Sequence, residues 1–411
     1  MKPEGNSNHR PVPLWIPVAL AAGPVVALGF ARFAYALLLP AMVRELGWSL
    51  TTAGAMNTAN ALGYLMGALA AAPLAHRRGL ARVFIASMAL TSVAVLGSGM
   101  TSNDLVLALI RWASGAAGGV AFVLGGGLVA KASAQDSSQR AAFLLGVYFS
   151  GAGLGIVLSA WIVPTLLAAF PQSTGWRMAW TMLGLISLAT LPGVVSATRR
   201  VVQDYPTSAS HSSQARLRLR RLRPALMAYG FYGAGYIVYM TFIVVFLQHH
   251  GAGPQEIVWF WTLLGTAAMT SAFLWGNFLG RTAGGRGVAL LIGLVLCGVL
   301  LPLWSTTTLA VLGSAVLFGA AFLAVVTGVT AVARRSLPVN QWTAALGALT
   351  VAFGVGQSLG PFLAGSLSDT GGGLRLGLVL SAAMLGLGVL MALAQPDHRA
   401  VMIDESPTLS E

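Results

Sequence analysis

Long apolar runs, separated by polar breaks, follow one another along almost the whole chain. A helix that crosses a bilayer needs about 20 mostly apolar residues, and twelve runs of that kind can be bracketed here. The runs cover residues 15–40, 50–73, 80–100, 104–130, 141–168, 176–197, 224–247, 255–279, 287–305, 309–333, 341–366 and 374–394. The pattern predicts an all-α membrane protein with twelve transmembrane helices.

One hydrophilic break, residues 198–223, is much longer than the others. It divides the chain into two predicted six-helix bundles, residues 15–197 and 224–394, with tails at 1–14 and 395–411. A single offset along the sequence places the first run on the seventh and the fourth run on the tenth. Two parallel six-span repeats, related by an axis normal to the membrane, imply a cavity between the halves.

Charged residues are too scarce to coat a water-facing surface. They make up 9% of the 411 residues, whereas 56% are hydrophobic and the mean hydropathy is +0.77. An ordinary soluble domain carries about 25% charged residues. The composition therefore excludes a soluble enzyme of this size, and it also excludes a disordered chain.

The net charge of +13 follows the predicted membrane topology. Cytoplasmic loops of membrane proteins hold the excess of lysine and arginine. With both termini in the cytoplasm, the cytoplasmic segments hold 19 of the 24 basic residues, and the outer loops hold only Arg44, Arg177 and Arg375. This distribution predicts a multi-pass protein of the bacterial inner (plasma) membrane with both termini cytoplasmic. It argues against nucleic acid as a partner.

The arginine-rich segment 216–223 is expected to be either a short amphipathic helix on anionic headgroups or a solvated linker.

Three short motifs resemble those of a known transporter family. They are Leu74-Ala-His-Arg-Arg-Gly79 after the second run, Arg111-Trp-Ala-Ser-Gly115 in the fourth and Gly151-Ala-Gly-Leu-Gly155 in the fifth. The first resembles the major facilitator signature G-x-L-A-D-R-x-G-R-R, with His76 in place of Asp, and the second is similar to the family's R-x-x-x-G motif. The third resembles the glycine-rich motif of drug antiporters, with Ala152 in place of proline. The resemblance implies the major facilitator fold.

The same resemblance implies that several of these residues act in conformational change. In the family, the loop after the second span helps to control the inward-closed state, so Arg77 and Gly79 are expected to share that role. Small residues let helix backbones approach closely in lipid. Gly115, Gly151 and Gly155 are therefore predicted to pack helices that also rock against one another.

A closer resemblance is to the YbfB/YjiJ-type branch of major facilitator proteins, and it covers nearly the whole chain. It rests on Gly29-Phe-Ala-Arg-Phe-Ala-Tyr35 and Leu38-Leu-Pro40 in the first run, Tyr229-Gly230 and Gly235-Tyr236 in the seventh, and Gly356-Gln-Ser-Leu-Gly-Pro361 in the eleventh. The resemblance implies a transporter but does not identify a substrate.

Two arginines lie inside apolar runs, whereas all 11 acidic residues lie in loops, tails or run ends. Arg32 in the first run and Arg111 in the fourth are expected at similar depths. A charge at the centre of a span costs at least about 2.5–3.5 kcal/mol, and a guanidinium grips a carboxylate or phosphate through two hydrogen bonds. We therefore expect an anionic substrate as their counter-ion. The alternatives are a structural or conformational role for Arg111, and for Arg32 either snorkelling of the side chain outward or bonding to backbone carbonyls near Gly29.

Polar side chains recur at helical spacing in three runs, so each set shares one helix face. The sets are Asn57, Asn60 and Tyr64; Tyr229, Tyr232, Tyr236 and Tyr239; and Thr343, Thr350 and Gln357. Polar groups that face hydrocarbon stay unpaired, so these faces are expected to point inward. Asn60, Tyr236 and Gln357 are predicted to line the substrate site with Arg32 and Arg111. Hydrogen bonding between helices is the alternative role.

These features predict a monomeric secondary active transporter for a small organic anion, which works by alternating access and is driven by an ion gradient. Its expected partners are the small-molecule substrate and membrane lipids. No phosphate-binding G-x-x-x-x-G-K-S/T loop and no catalytic residue set is found, so neither a cofactor nor enzyme activity is predicted. His249, His250 and Glu256 in one outer loop are a weak metal candidate, and no metal site is predicted. Efflux of hydrophobic or drug-like compounds is the first alternative, and a non-transporting receptor or sensor is the second.

Overall fold

The computed structural model describes residues 11–205, 219–370 and 372–397, and every regular element within them is a helix. We number the twelve main helices in chain order. They are α1 (Trp15–Leu46), α2 (Leu50–Arg78), α3 (Leu80–Gly97), α4 (Asp104–Ala132), α5 (Ser138–Ala169), α6 (Ser173–Asp204), α7 (Arg220–His249), α8 (Pro254–Leu274), α9 (Arg286–Trp304), α10 (Thr308–Ser336), α11 (Trp342–Asp369) and α12 (Gly373–Leu393). Each predicted apolar run falls on one of them, which confirms the predicted fold class.

Among the described residues, eleven helices are long and apolar enough to cross a membrane. The predicted eighth run, 255–279, extends too far, because α8 ends at Leu274 and a separate short helix, Gly276–Arg281, follows. Gly276 and Asn277 are poor helix formers, and they stand at this break. Residues 216–218 of the predicted amphipathic segment lie outside the described residues. Leu219–Leu222 form a 3₁₀ turn, and the α-helical part of α7 follows from Arg223.

Local sequence signals begin and end several helices. Ser49, Asn103 and Ser137 cap α2, α4 and α5, each accepting a hydrogen bond from a backbone N–H of the first turn, as N-cap residues do. Between α2 and α3 the chain turns at Gly79, where φ is +87°. A side chain there meets no neighbouring atom within 4 Å, so the backbone conformation is the reason for glycine at this position.

Successive helices run in opposite directions, so their loops collect at two ends of the bundle. The end that carries the α2–α3 and α4–α5 loops also carries the end of α6 and the start of α7, and we call it the linker end. At the opposite, far end, Trp48 after α1 donates to Asp104 at the start of α4 with a distance of 2.7 Å. Arg177 of α6 reaches Glu45 of α1 at 3.3 Å there.

We call α1–α6 the first helix set and α7–α12 the second helix set, and two helix pairs join the sets. In the pair α2 and α11, Thr58 donates to the Ser358 carbonyl at 2.7 Å. The pair α5 and α8 is lined by the Trp161 and Trp259 rings, 6.0 Å apart, and by Phe143 and Phe273, 5.9 Å apart. The two sets therefore meet along two close helix pairs.

At the far end, a carboxylate of the second helix set caps a helix of the first. Asp369, the last residue of α11, accepts hydrogen bonds from the backbone N–H groups of Leu50 and Thr51 at 2.9 and 2.8 Å. It also accepts one from the Thr51 hydroxyl at 2.5 Å. Because the free N–H groups at a helix N-terminus favour a negative charge, this contact holds the far ends of α2 and α11 together.

Candidate substrate site between the two helix sets

Arg32 lies in a distorted part of α1. Residues Val25–Phe33 form a π-helix, in which the Ala34 N–H donates to the Gly29 carbonyl five residues earlier, at 2.9 Å. The whole segment is buried, and only 3% of Arg32 is exposed. Short π-helical segments often occur at functional sites. Here the segment brings a charged side chain into the centre of the bundle.

The guanidinium of Arg32 contacts the second helix set directly. Its Nη2 donates to Oε1 of Gln357 on α11 at 2.5 Å. The Tyr236 hydroxyl of α7 donates to the same oxygen at 3.3 Å. The guanidinium also lies over the Tyr64 ring of α2, 5.2 Å from its centroid. Four helices therefore supply one cluster, which we call the Arg32 cluster: Arg32, Tyr64, Tyr236 and Gln357.

The charge in this cluster has no described acidic partner. The described ion pairs join Arg140 to Asp136, Arg177 to Glu45 and Arg200 to Asp204, all in loops or at helix ends. Arg32 Nε and Gln357 Nε2 are buried and have no hydrogen-bond partner in the described part of the chain. A buried donor that is not satisfied costs about 1–3 kcal/mol, and more when it is charged. The cluster therefore presents unused donors to any acceptor that enters.

Arg111 contacts α1 next to Arg32, from α4. Its Nη1 donates to the Ala31 carbonyl at 2.6 Å, and its guanidinium lies over the Tyr35 and Trp180 rings at 4.5 and 5.5 Å. Its Nε and Nη2 have no partner among the described residues. Arg111 thus holds the backbone next to Arg32 but makes no hydrogen bond to the Arg32 cluster.

A column of aromatic rings forms one wall beside the Arg32 cluster. Tyr229, Tyr232 and Tyr236, one helical turn apart on α7, stack with successive centroid distances of 6.0 and 5.1 Å. Phe353 of α11 stacks on Tyr229 at 4.7 Å and on Tyr236 at 5.5 Å. Phe322 of α10 also stacks on Tyr236, with a centroid distance of 6.4 Å. Flat apolar faces therefore adjoin the cationic group.

A comparison with protein families now identifies the chain. A family model described as "Uncharacterised MFS-type transporter YbfB" matches residues 24–393. The chain belongs to this family. The resemblance seen in the sequence is thereby confirmed, and the chain is a multi-pass membrane transporter of the major facilitator type.

Curated relatives of this YbfB-type chain are also transporters. It is 25% identical over 389 residues to the inner membrane transport protein YdhP of Escherichia coli (strain K12), a match that covers 91% of this chain and 94% of the relative. It is 28% identical over 188 residues to the gallate transporter of Pseudomonas putida. That second match covers 45% of this chain and only 40% of the gallate transporter.

Solved structures show the same fold. A bacterial homologue of the human lysosomal transporter Spinster, in an inward-facing and unoccupied conformation, superimposes with a TM-score of 0.71. The two chains are 15% identical, and the match covers 96% of this YbfB-type chain and 99% of the homologue. The nucleoside transporter NupG gives a TM-score of 0.72 at 14% identity, with 93% and 98% covered. At these identities the likeness concerns the fold alone.

The structure brings together three of the five residues that the sequence placed at the substrate site of this YbfB-type chain: Arg32, Tyr236 and Gln357. Asn60 lies apart from them, because its amide donates to the Arg111 carbonyl at 3.1 Å and to the Ser114 hydroxyl at 3.0 Å. Asn60 therefore ties α2 to α4, which is the helix-bridging alternative for this residue.

Two residues of this interface were not singled out as site residues from the sequence. Tyr64 belongs to the predicted polar face of α2, one turn beyond Asn60, so periodicity carried a signal for it. Asn57 belongs to the same face and donates to Thr241 of the second helix set at 2.5 Å. Thr241 lies five residues after Tyr236 and outside the tyrosine stripe, so no sequence pattern indicated it. Asn57 Oδ1 is buried and accepts no hydrogen bond from any described residue.

The glycines predicted to act in conformational change pack closely against neighbouring helices of the first helix set. Gly115 faces α2, where a Cβ atom would come within 2.0 Å of the Asn60 carbonyl oxygen. Gly151 and Gly155 face α1, where a Cβ atom would come within 2.3 Å of the Ala21 oxygen and 2.7 Å of the Val25 oxygen. Arg77 ends α2 at the linker end and is exposed. The close approaches are observed, while the conformational roles stay predictions.

The far-end loop with His249, His250 and Glu256 shows no converging ligands. His250 Nδ1 lies 2.8 Å from the Phe246 carbonyl oxygen, and the two imidazole rings are 5.6 Å apart. Within the described ranges, no group of three or more His, Cys, Asp or Glu side chains is arranged to hold a metal ion.

Proposed function

We propose that this chain is a secondary active transporter that carries a small organic anion of carboxylate type by alternating access. The observation that carries the proposal is the buried Arg32, which donates to the neutral Gln357 of the other helix set and forms no ion pair with an acidic residue of the described chain. An entering carboxylate offers two acceptor oxygens to a guanidinium that has unused N–H donors. The substrate would therefore supply the missing negative charge at the junction of the two sets.

The aromatic column narrows the proposed cargo to acids with a flat apolar part. Tyr236 and Phe353 stack 5.5 Å apart beside the Arg32 cluster, and aromatic rings prefer offset or edge contacts with other rings. The gallate transporter relative carries an aromatic carboxylate by its name, which agrees with this chemistry. We therefore infer aromatic monocarboxylates as the first compounds to test.

Arg111 is proposed to position the site rather than to grip the cargo. Its hydrogen bond to the Ala31 carbonyl fixes the peptide next to Arg32.

The basic residues around the linker segment 198–223 support an orientation with both termini in the cytoplasm. Import or export would then be driven by an ion gradient, because the sequence contains no loop that binds nucleotide phosphates.

The decisive experiment is uptake of radiolabelled benzoate and gallate into proteoliposomes that contain the full chain. We expect Arg32→Gln to lower kcat/KM about 10- to 100-fold, since a hydrogen bond to a charged group contributes about 1.5–3 kcal/mol. Arg32→Lys keeps the charge without the planar fork and is expected to lose less. Arg44→Gln is the matched control, because Arg44 is exposed in the last turn of the same helix. Equal uptake by wild type and Arg32→Gln would overturn the anion proposal.

Efflux of hydrophobic compounds is the second candidate function, and the aromatic column favours it. A neutral aromatic cargo would use the rings of Tyr236, Phe353 and Phe322 without needing Arg32. In that case Tyr236→Ala and Phe353→Ala would abolish protection of cells against toxic aromatic compounds, while Arg32→Gln would leave it unchanged. The two candidates therefore give opposite results for the same Arg32 variant.

A further inference from the structure

A large cleft opens on the outside of the first helix set near the linker end, away from the Arg32 cluster. It lies between α2, α3 and α4 and has a volume of about 740 Å³. Its apolar wall includes Met66, Leu74, Val83, Leu90 and Trp112. We call it the α2–α4 cleft. None of the functions proposed above uses it.

The wall of this cleft faces outward. Met66 is 54% exposed, Leu90 is 53% exposed and Trp112 is 38% exposed. On the outside of a membrane-spanning bundle, such apolar side chains contact acyl chains rather than water. The occupant of the cleft is therefore apolar over most of its length.

Basic residues close one end of the cleft. Arg77 and Arg78 end α2, Arg82 lies in the first turn of α3, and all three line the α2–α4 cleft. A second cavity of about 670 Å³ adjoins it, shares Arg78 and Arg82, and adds Lys131 of α4. Four positive charges thus surround two adjoining spaces at the linker end.

No described carboxylate forms an ion pair with any of these four basic residues. The three arginines are exposed, and none of them forms an ion pair or hydrogen bond with another described residue. No acidic residue occurs anywhere between Glu45 and Asp104. The N-terminus of α3 borders the second cavity at Leu80 and Ala81, and a helix N-terminus favours an anion.

We propose that the α2–α4 cleft binds an anionic phospholipid. The phosphate diester lies among Arg77, Arg78 and Arg82, and an acyl chain follows the apolar wall towards Leu90 and Trp112. Clusters of basic residues between membrane helices match anionic headgroups in charge, and the apolar wall matches the chain. A soluble anion would leave that wall uncovered. The proposal is independent of the cargo, since the cleft does not include the Arg32 cluster.

The test is native mass spectrometry of the full chain released from nanodiscs that contain equal parts of phosphatidylglycerol and phosphatidylethanolamine. We expect wild type to retain phosphatidylglycerol in preference to phosphatidylethanolamine. The triple variant Arg77→Gln, Arg78→Gln, Arg82→Gln is expected to lose this retention about tenfold or more. The matched control changes three other exposed linker-end arginines, Arg281, Arg286 and Arg334, to Gln and should retain the lipid.

A second variant distinguishes binding of the lipid from binding of a free anion. Ala70→Trp fills the cleft lined by Ala70 without removing any positive charge, and it should also lose phosphatidylglycerol. Inorganic phosphate, added in excess, should not displace the lipid. The proposal is overturned if the triple variant or Ala70→Trp retains the lipid as wild type does, or if both lipids bind equally. Displacement by phosphate would also overturn it, because the site would then be one for soluble anions.

Discussion

The far-end contact of Asp369 leads to a quantitative prediction about the conformational equilibrium. Its carboxylate accepts three hydrogen bonds from Leu50 and Thr51, across the two helix sets. A hydrogen bond to a charged group contributes about 1.5–3 kcal/mol when buried, and a charge at a helix N-terminus contributes about 0.3–1 kcal/mol. Because Asp369 is exposed, solvent screening reduces these values. We take about 2 kcal/mol for the whole contact, which corresponds to about 30-fold in an equilibrium constant.

Removal of this contact should therefore favour conformations that are open at the far end. In Asp369→Ala we expect the ratio of far-end-open to far-end-closed molecules to rise about 30-fold. Asp369→Asn keeps one acceptor oxygen and should give an intermediate value. Spin labels at Ser102→Cys and Thr306→Cys, in a Cys297→Ser background, report the distance between far-end loops of the two sets by pulsed electron resonance.

A matched variant controls for the loss of a negative charge at the far end. Glu256→Ala removes a carboxylate in the first turn of α8, and Glu256 Oε1 has no hydrogen-bond partner. Its distance distribution should equal that of wild type. If Asp369→Ala also gives the wild-type distribution, the contact does not hold the far end closed and the estimate above is wrong.

Two further predictions concern packing and orientation. Gly115→Ala places a Cβ atom 2.0 Å from the Asn60 carbonyl oxygen and should destabilise the protein by about 1–3 kcal/mol. A Cβ atom at Gly127 on the same helix would meet nothing within 4 Å, so the melting temperature of Gly127→Ala should match that of wild type. Equal melting temperatures of the Gly115→Ala and Gly127→Ala variants would contradict the packing argument. For orientation, a membrane-impermeant maleimide is added to intact cells that express single-cysteine variants in the Cys297→Ser background. It should label Thr306→Cys at the far end but not Ala134→Cys at the linker end. The reverse pattern would place the termini outside the cell.

The twelve helices could be predicted from the sequence because few backbone conformations are stable inside a membrane. A chain in lipid must satisfy its own hydrogen bonds, so a long apolar run determines both the existence and the type of the element. Helix ends are less determined, since they depend on local contacts. The eighth run shows this: Trp275, at the break after α8, donates to the Ala320 carbonyl at 2.6 Å, a tertiary contact that no apolar pattern reveals.

The candidate site was predictable in its residue types but not in its pairings. The tyrosine stripe of α7 and the buried Arg32 follow from helical spacing and from the cost of a charge in the membrane. The bond from Arg32 to Gln357 joins residues 325 positions apart, and no local rule pairs them. Similarly, the π-helical segment Val25–Phe33 has no distinctive composition. The hydrogen bond from Arg111 to Ala31 depends on how α1 and α4 pack, and it separates two arginines that looked equivalent in the sequence.

The neutral partner of Arg32 has a consequence for energetics across the bilayer. Gln357 satisfies a donor of the guanidinium without cancelling its charge, so the empty carrier retains an uncompensated positive charge in the proposed cycle. A bound monoanion cancels that charge. The electrical work of moving one elementary charge across the membrane is about 2.3 kcal/mol per 100 mV. The voltage-sensitive step would then be the return of the unloaded carrier, while the loaded carrier crosses with little electrical work.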